Sequence, residues 1–337
     1  MSFQVLLFYK YVTIDNPVTF ADWFALQART KGLTGRALIA EEGLNATVEG
    51  TVEQTEKFVQ QLHQDERLRD MNIKRSPSDG SSFRGLSVKI RPEIVGTKFT
   101  SAEADPRIRT APHLSPEKLR EMYANNEDFV VIDMRNSYEF VSGHFKQSID
   151  PGLRASRDLK KAVVKLTPYK DKKIVTVCTG GIRCEKMSAY LLNHGFRDVS
   201  QLENGIHAYL EKFPNQDFLG TLYTFDERIS LDFGGEREIV GQCHRCQTKT
   251  ERYLNCANDE CHLHLLICVH CAPSGTDAFC SRTCAATALV LRKKERVKDW
   301  LTRSKKQLRH VKRLAVGRYR SVVWGLRTGR LLRAKRP

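Results

Sequence analysis

No run of eighteen or more apolar residues occurs anywhere in this 337-residue chain, so no single helix is expected to span a membrane. The opening residues, Met1-Ser2-Phe3-Gln4-Val5-Leu6-Leu7-Phe8-Tyr9, lack the basic start and small-residue cleavage site of a secretory leader. They read as a first strand, and a cytoplasmic protein is the expectation. No internal repeat is visible, which excludes a repeat array. No haem, flavin or iron motif is visible either, so no organic cofactor is expected. Acidic residues are scarce at one end. Leu291–Pro337 holds eighteen basic and two acidic residues and so carries the whole formal excess of +16, which leaves the body near neutral.

That tail interleaves Trp300, Tyr319 and Trp324 with arginines. Such a mixture suits stacking on unpaired bases while cations meet phosphates. Arg318, Tyr319, Arg320 and Trp324 are the candidate RNA contacts. A solvated tail is the plainer reading. A basic amphipathic membrane helix is a third, because Val311, Leu314, Ala315 and Arg318 could share one helix face.

Ten cysteines in a reducing compartment are metal ligands or reactive thiols before they are disulfides. Eight of them form close pairs: Cys243 and Cys246, Cys256 and Cys261, Cys268 and Cys271, Cys280 and Cys284. Eight thiolates suffice for two tetrahedral four-cysteine zinc sites. Sequential and interleaved pairings are both open, and His244, His262, His264 or His270 could replace a cysteine. One iron–sulfur cluster would leave half the array unexplained.

The other two cysteines lie in Val177-Cys178-Thr179-Gly180-Gly181-Ile182-Arg183-Cys184-Glu185-Lys186. The apolar run Lys173–Val177 reads as a buried parallel strand and Met187–Leu192 as a helix. Cys178 therefore stands where a strand ends and a helix starts. Loop amides and the helix dipole converge there and favour a thiolate. Arg183 would close the loop and add charge. The ring from Cys178 to Arg183 has six residues, one fewer than the Cys-x5-Arg ring that holds phosphate in tyrosine phosphatases, and suits sulfur better. This arrangement resembles rhodanese. Two buried structural cysteines beside a Gly-Gly turn would be the bland alternative. The surroundings agree with rhodanese: Asp133 and Arg135 end a strand, Tyr138-Glu139 and Gly143-His144 follow, and Val199–Ile206 resembles the last strand and its glycine turn. Asp133 and Arg135 read as an ion pair that fixes the fold.

The expected fold class is α/β and α+β. Residues 1–95 follow a β-α-β-β-α-β order, which fits a ferredoxin-like (acylphosphatase-like) domain. Asn16-Pro17 should cap its first helix, and Thr51–Leu62 should form its second, with Phe58, Val59 and Leu62 inward. Residues 96–112 read as a linker and 113–218 as a rhodanese-like α/β domain with a central parallel sheet. Residues 219–290 read as a small zinc module and 291–337 as a basic helical tail.

Several stretches are more specific than rhodanese alone. Cys178–Lys186, Ala40-Glu41-Glu42-Gly43-Leu44-Asn45-Ala46-Thr47, Val88–Val95 and Phe225-Asp226-Glu227-Arg228-Ile229 resemble signatures of the bacterial rhodanese-domain tRNA uridine(34) hydroxylase family. The resemblance covers about residues 5–285. Ala46 stands where the family tends to have glycine, and the Asp150–Arg157 stretch also departs from its pattern. The resemblance implies oxygen-dependent hydroxylation of uridine 34 at C5 in the tRNA anticodon, with molecular oxygen as co-substrate and tRNA as partner. Cys178, Arg183 and Cys184 would then be the catalytic group, and Thr179, Gly180, Gly181 and Ile182 the loop backbone. Cys178 would attack C6 of the uracil or carry the oxygen atom. Cys184 would be a resolving thiol or a buried spectator. An electron or sulfur donor is required and is not identifiable from sequence. A persulfide-carrying sulfurtransferase and a non-catalytic tRNA-binding adaptor are the other classes.

Overall fold

The computed structural model describes residues 2–261, 263–274 and 276–328; the side chains of residues 303, 305 and 308–328 lie outside it. It divides into two compact units, Met1–Tyr253 with Leu265–Ser274, and Leu254–His264 with Gly275–Pro337.

The first unit opens with β1 (Phe3–Tyr11), α1 (Pro17–Thr30), β2 (Thr34–Ala40), β3 (Gly43–Thr51), α2 (Val52–His63), β4 (Ile73–Ser78) and β5 (Leu86–Ile90). The sheet order is β4-β1-β3-β2-β5, the ferredoxin-like order with β5 added in parallel beside β2. Local chemistry sets the helix starts. The Asn16 side chain accepts from the amides of Val18 and Thr19, ahead of Pro17, a cap worth about 1 kcal/mol. Thr51 and Gln54 form a reciprocal capping box on α2. Alternation along β1 then gives the sheet two faces. Leu6 and Phe8 point to a core with Phe24, Phe58 and Leu62. Val5, Leu7 and Tyr9 point the other way and line a cavity. Ala46 is buried in that core, so its extra methyl is packed, not strained.

The rhodanese-like part contains β6 (His113–Leu114), α3 (Pro116–Ala124), β7 (Val130–Asp133), α4 (Ser137–Phe140), β8 (Gly143–Phe145), α5 (Leu159–Ala162), β9 (Lys173–Val177), α6 (Ile182–Asn193), β10 (Asp198–Leu202) and α7 (Gly205–Lys212). The sheet β6-β10-β9-β7 is wholly parallel. Its strands are apolar on both faces because helices cover both: Ile174 faces a core with Met187 and Leu191, while Val175 and Val177 face one with Leu119 and Tyr209. Residues 96–112 carry no helix or strand. They nonetheless contribute Phe99, Ala104 and Ala111 to the first of these cores, and Phe99 stacks on Tyr190 at 4.4 Å. The short hairpin strands β11 (Phe218–Gly220), β12 (Leu222–Tyr223) and β13 (Ser230–Leu231) follow.

In the second unit, α8 (Arg282–Thr328) begins before the basic segment, at the last cysteine pair. Its backbone runs helically through Arg318, Tyr319, Arg320 and Trp324, whose side chains lie outside the described residues. Among the described residues no helix is long and apolar enough to cross a membrane.

Candidate active site

The loop Cys178–Gly181 leaves β9 and enters α6 through Gly181, whose φ is +99°. A Cβ there would lie 2.7 Å from the Tyr9 hydroxyl, so both torsion and space call for glycine. The Gly181 amide donates to Cys178 Sγ at 3.2 Å. The first amides of α7 hold the loop from behind: Ile206 N donates to Cys178 O and His207 N to Thr179 O, at 2.9 and 3.0 Å. Gly205, at φ +72°, is what allows α7 so close. A Cβ there would meet Cys178 O at 2.5 Å and Gly181 N at 2.7 Å.

Cys178 is fully buried. Burial opposes ionisation, but the Cys184 thiol, the Arg183 charge and the amides of Cys184 and Arg183 outweigh it and bring the Cys178 thiol down to about 6. Cys184 is pushed the other way, by burial first and then by its hydrogen bond to Cys178. The two shifts are opposite, so the pair favours a thiolate on Cys178 and a neutral thiol on Cys184.

Arg183 does not present a free cation. It makes a bidentate pair with Glu139, NH1 to Oε1 at 2.6 Å and NH2 to Oε2 at 2.9 Å, and NH2 also donates to Thr179 Oγ1 at 3.1 Å. Glu139 is fully buried and also caps α4 by accepting from the Asn136 amide. Arg183 thus braces the loop against α4 more than it charges the cavity. Asp133 and Arg135 form a second buried pair at 2.6 Å, and Arg135 also donates to Gly143 O.

Above the loop lies a cavity of about 560 Å³, within the usual range for small-ligand sites of about 300–1,000 Å³. Thr179, Gly180, Ile182 and Arg183 form one wall, and Val5, Leu7, Tyr9, Leu38 and Asn45 of the N-terminal sheet form the other. His207, Phe225 and Arg228 complete it, with Ala155 and Ser156 from the Asp150–Arg157 stretch. The lining is largely apolar. Phe225 is half-exposed and lies 5.6 Å over the Arg183 guanidinium.

Residues from separate stretches of sequence lock the two walls together. Tyr9 Oη donates to Glu185 at 3.1 Å and Tyr11 Oη to Ile182 O at 3.3 Å. Lys186, 2% exposed, bridges Glu42 at 2.7 Å and Glu93 at 2.9 Å. Arg228 pairs with Asp226 and donates to Ser76 of β4. Glu42, Glu93, Lys186 and Asp226-Glu227-Arg228 come from four sequence signatures, and their shared role here is to fix the N-terminal sheet over the loop.

Domain models match the same three segments: a UPF0176 acylphosphatase-like domain over residues 3–94, a rhodanese-like domain over 115–212 and a rhodanase C-terminal domain over 219–285. The chain is 42% identical over 271 residues to the tRNA uridine(34) hydroxylase of Staphylococcus carnosus, covering 79% of this chain and 85% of that one. It is 41% identical over 271 residues to the protein of that name from Staphylococcus haemolyticus, with 79% and 84% covered. The chain belongs to the tRNA uridine(34) hydroxylase family. Among solved structures, the rhodanese-like domain of an Anabaena protein is 19% identical, covers 33% of this chain and 80% of that one, and superimposes with a TM-score of 0.28.

Beyond the cavity, this family member carries two groups of four sulfurs able to hold a metal. Cys243, Cys246, Cys268 and Cys271 form one group in the first unit, and Cys256, Cys261, Cys280 and Cys284 form the other in the second. The pairing is interleaved: the first and third cysteine pairs join, as do the second and fourth. Sulfurs lie within 4.8 Å of one another in each group, for example 3.5 Å for Cys246 to Cys268 and 3.7 Å for Cys261 to Cys280. Among the described residues both groups are made of cysteine alone; His262 lies outside them.

Reasoning from sequence singled out the loop; it named Glu139 and Phe225 only as parts of patterns, and it gave no role to Lys74, His207, Tyr9 or Lys186. Glu139 carried a signal, since it follows Tyr138 in a recognisable pattern. Lys74 and His207 carried none before the topology placed them.

Proposed function

We propose that this chain hydroxylates uridine 34 of tRNA at C5 with molecular oxygen, and that Cys178 is its nucleophile. The observation that carries the reading is the largely apolar cavity over a thiolate loop whose arginine is neutralised by Glu139. A flat, uncharged pyrimidine suits such a space. Addition of the Cys178 thiolate to C6 makes C5 electron-rich toward an oxygen donor, and loss of the C5 proton with release of the thiolate restores the ring. Overall, one oxygen atom enters C5 and the other leaves as water, which requires two electrons and two protons from an external reductant. Loop amides stabilise the thiolate, and the neutral Cys184 thiol beside it is placed to return a proton. The half-exposed Phe225 and the tail residues Arg318, Tyr319, Arg320 and Trp324 are assigned to tRNA. The cysteine groups fit zinc, because four soft thiolates at tetrahedral spacing are its characteristic structural set; zinc bound there would hold the C-terminal segments together. A tRNA substrate fits a cytoplasmic chain.

The test is nucleoside mass spectrometry of tRNA from cells lacking the gene and complemented with wild type or Cys178→Ala. Return of 5-hydroxyuridine derivatives with wild type alone supports the reading. A shift in thiolated nucleosides instead would make the protein a sulfur carrier. Unchanged nucleosides with tRNA binding retained would make it an adaptor.

A further inference from the structure

Three buried cations near the loop are neutralised by carboxylates. Arg135 is held by Asp133, Arg183 by Glu139, and Lys186 by Glu42 and Glu93. Lys74 is not held. It lies on β4 opposite Leu7, on the sheet face that turns toward the rhodanese loop. It is 5% exposed, and among the described residues it makes no ion pair with a carboxylate. Its ammonium sits 5.3 Å from the centroid of the Tyr9 ring, the same ring that closes over Gly181.

A buried ammonium without a carboxylate partner is costly, and an apolar side chain of similar length would fill that space more stably. Packing therefore does not explain Lys74. The charges it faces do. They come from the loop, from α6 and from α7: Cys178, Glu185 and Glu211. Burial lowers the ammonium to about 8, against the opposing pull of those three groups, so it is still largely charged at neutral pH. On the other side, the groups that face Cys178 are Cys184 and Arg183 from α6, Tyr9 and Tyr11 from β1, and Lys74 from β4. Burial keeps both tyrosines protonated. Among the described residues, Lys74 is thus the one cation in this set without a carboxylate in ion-pair contact.

We propose that Lys74 is a positioning residue for the Cys178 thiolate, adding from the N-terminal sheet a positive charge beside that of Arg183, which Arg183 shares with Glu139. The docking of that sheet over the loop then has a chemical purpose besides enclosing the cavity: the nucleophile is fully activated only when the two walls are together. This rests on the reading of Cys178 as the nucleophile, but it is measurable on the thiol alone.

The experiment is iodoacetamide labelling of Cys178 in the full-length, metal-loaded protein, read by peptide mass spectrometry from about pH 5 to 9, for wild type, Lys74→Met and Lys74→Arg. Wild type should show its midpoint near 6. Lys74→Met should raise the midpoint by about one pH unit, which slows labelling at pH 6 about fivefold. Lys74→Arg should restore labelling to within about twofold of wild type. Thermal unfolding adds a sign that a packing role would not give. Lys74→Met should unfold at or above the wild-type temperature, because an unpaired buried charge is gone. A folded Lys74→Met protein with an unchanged midpoint overturns the proposal, and so does a midpoint moved equally by methionine and arginine. Should Lys74→Met fail to fold, Lys74→Gln makes the same comparison. If Cys178→Ala retains hydroxylation in cells, the reading of the nucleophile fails while the labelling result for Lys74 stands.

Discussion

Replacing Glu139 by glutamine should unbalance the loop more than any other single isosteric change. Glu139 has no exposed surface and Arg183 little, and the two share hydrogen bonds of 2.6 and 2.9 Å. Glutamine keeps the shape but removes the charge and points an amide N–H at a guanidinium that only donates. Breaking a buried pair from one side costs about 3–5 kcal/mol, because the surviving charge is left without a partner. For a unit of this size, each kcal/mol moves the unfolding midpoint by about 2–4 °C, so Glu139→Gln should melt about 6–20 °C lower. The assay is thermal and urea unfolding of wild type, Glu139→Gln, Arg183→Met and the double variant. The double variant should recover much of the loss, with a coupling of about 3 kcal/mol, since it removes the orphaned charge along with its partner. Glu139→Gln within about 1 kcal/mol of wild type would refute the argument that Arg183 serves mainly as a brace.

Gly205→Ala places a methyl 2.5 Å from Cys178 O on a residue with φ of +72°; it should displace the loop, raise the Cys178 labelling midpoint and abolish hydroxylation while the rest of the fold survives, as circular dichroism would check. Cys184→Ala removes the thiol that donates to Cys178, so the labelling midpoint should rise from near 6; no movement would make Cys184 a spectator. The sign for stability follows: a thiol whose folded-state value is lowered adds stability that is full above its ordinary value and lost as pH falls through 6, and Cys184→Ala should narrow that window in urea titrations across pH. The two cysteine groups should bind about two zinc ions per chain by elemental analysis, and chelation should lower the unfolding temperature; zinc-free protein of unchanged stability would count against a structural role.

Much of the fold was legible because local rules and tertiary packing agree in it. Asn16-Pro17 and Thr51-Gln54 cap helices by chemistry contained within a few residues. The apolar run before Cys178 reads as a buried parallel strand, and a Gly-Gly turn after it puts the thiol at a helix start. Long-range pairing was harder to read. That Arg183 meets Glu139, forty-four residues earlier, depends on how β7 and β9 lie side by side. Lys74 sat in a short extended piece with no pattern to mark it; only its register against Leu7, which lines the cavity, puts it on the sheet face that turns toward the loop. The interleaved cysteine pairing was equally hidden, since four close pairs satisfy either arrangement. Residues 96–112 show the converse: Pro106 and Pro112 make the segment read as a connector, yet Phe99 and Ala111 are core.

The measurement that tests the central claim most directly is growth of the complemented deletion strain under oxygen-18 gas, followed by mass spectrometry of tRNA nucleosides. Wild type should return 5-hydroxyuridine derivatives carrying the heavy isotope at C5, and Cys178→Ala should return none. Heavy-labelled derivatives at wild-type levels with Cys178→Ala would contradict the account.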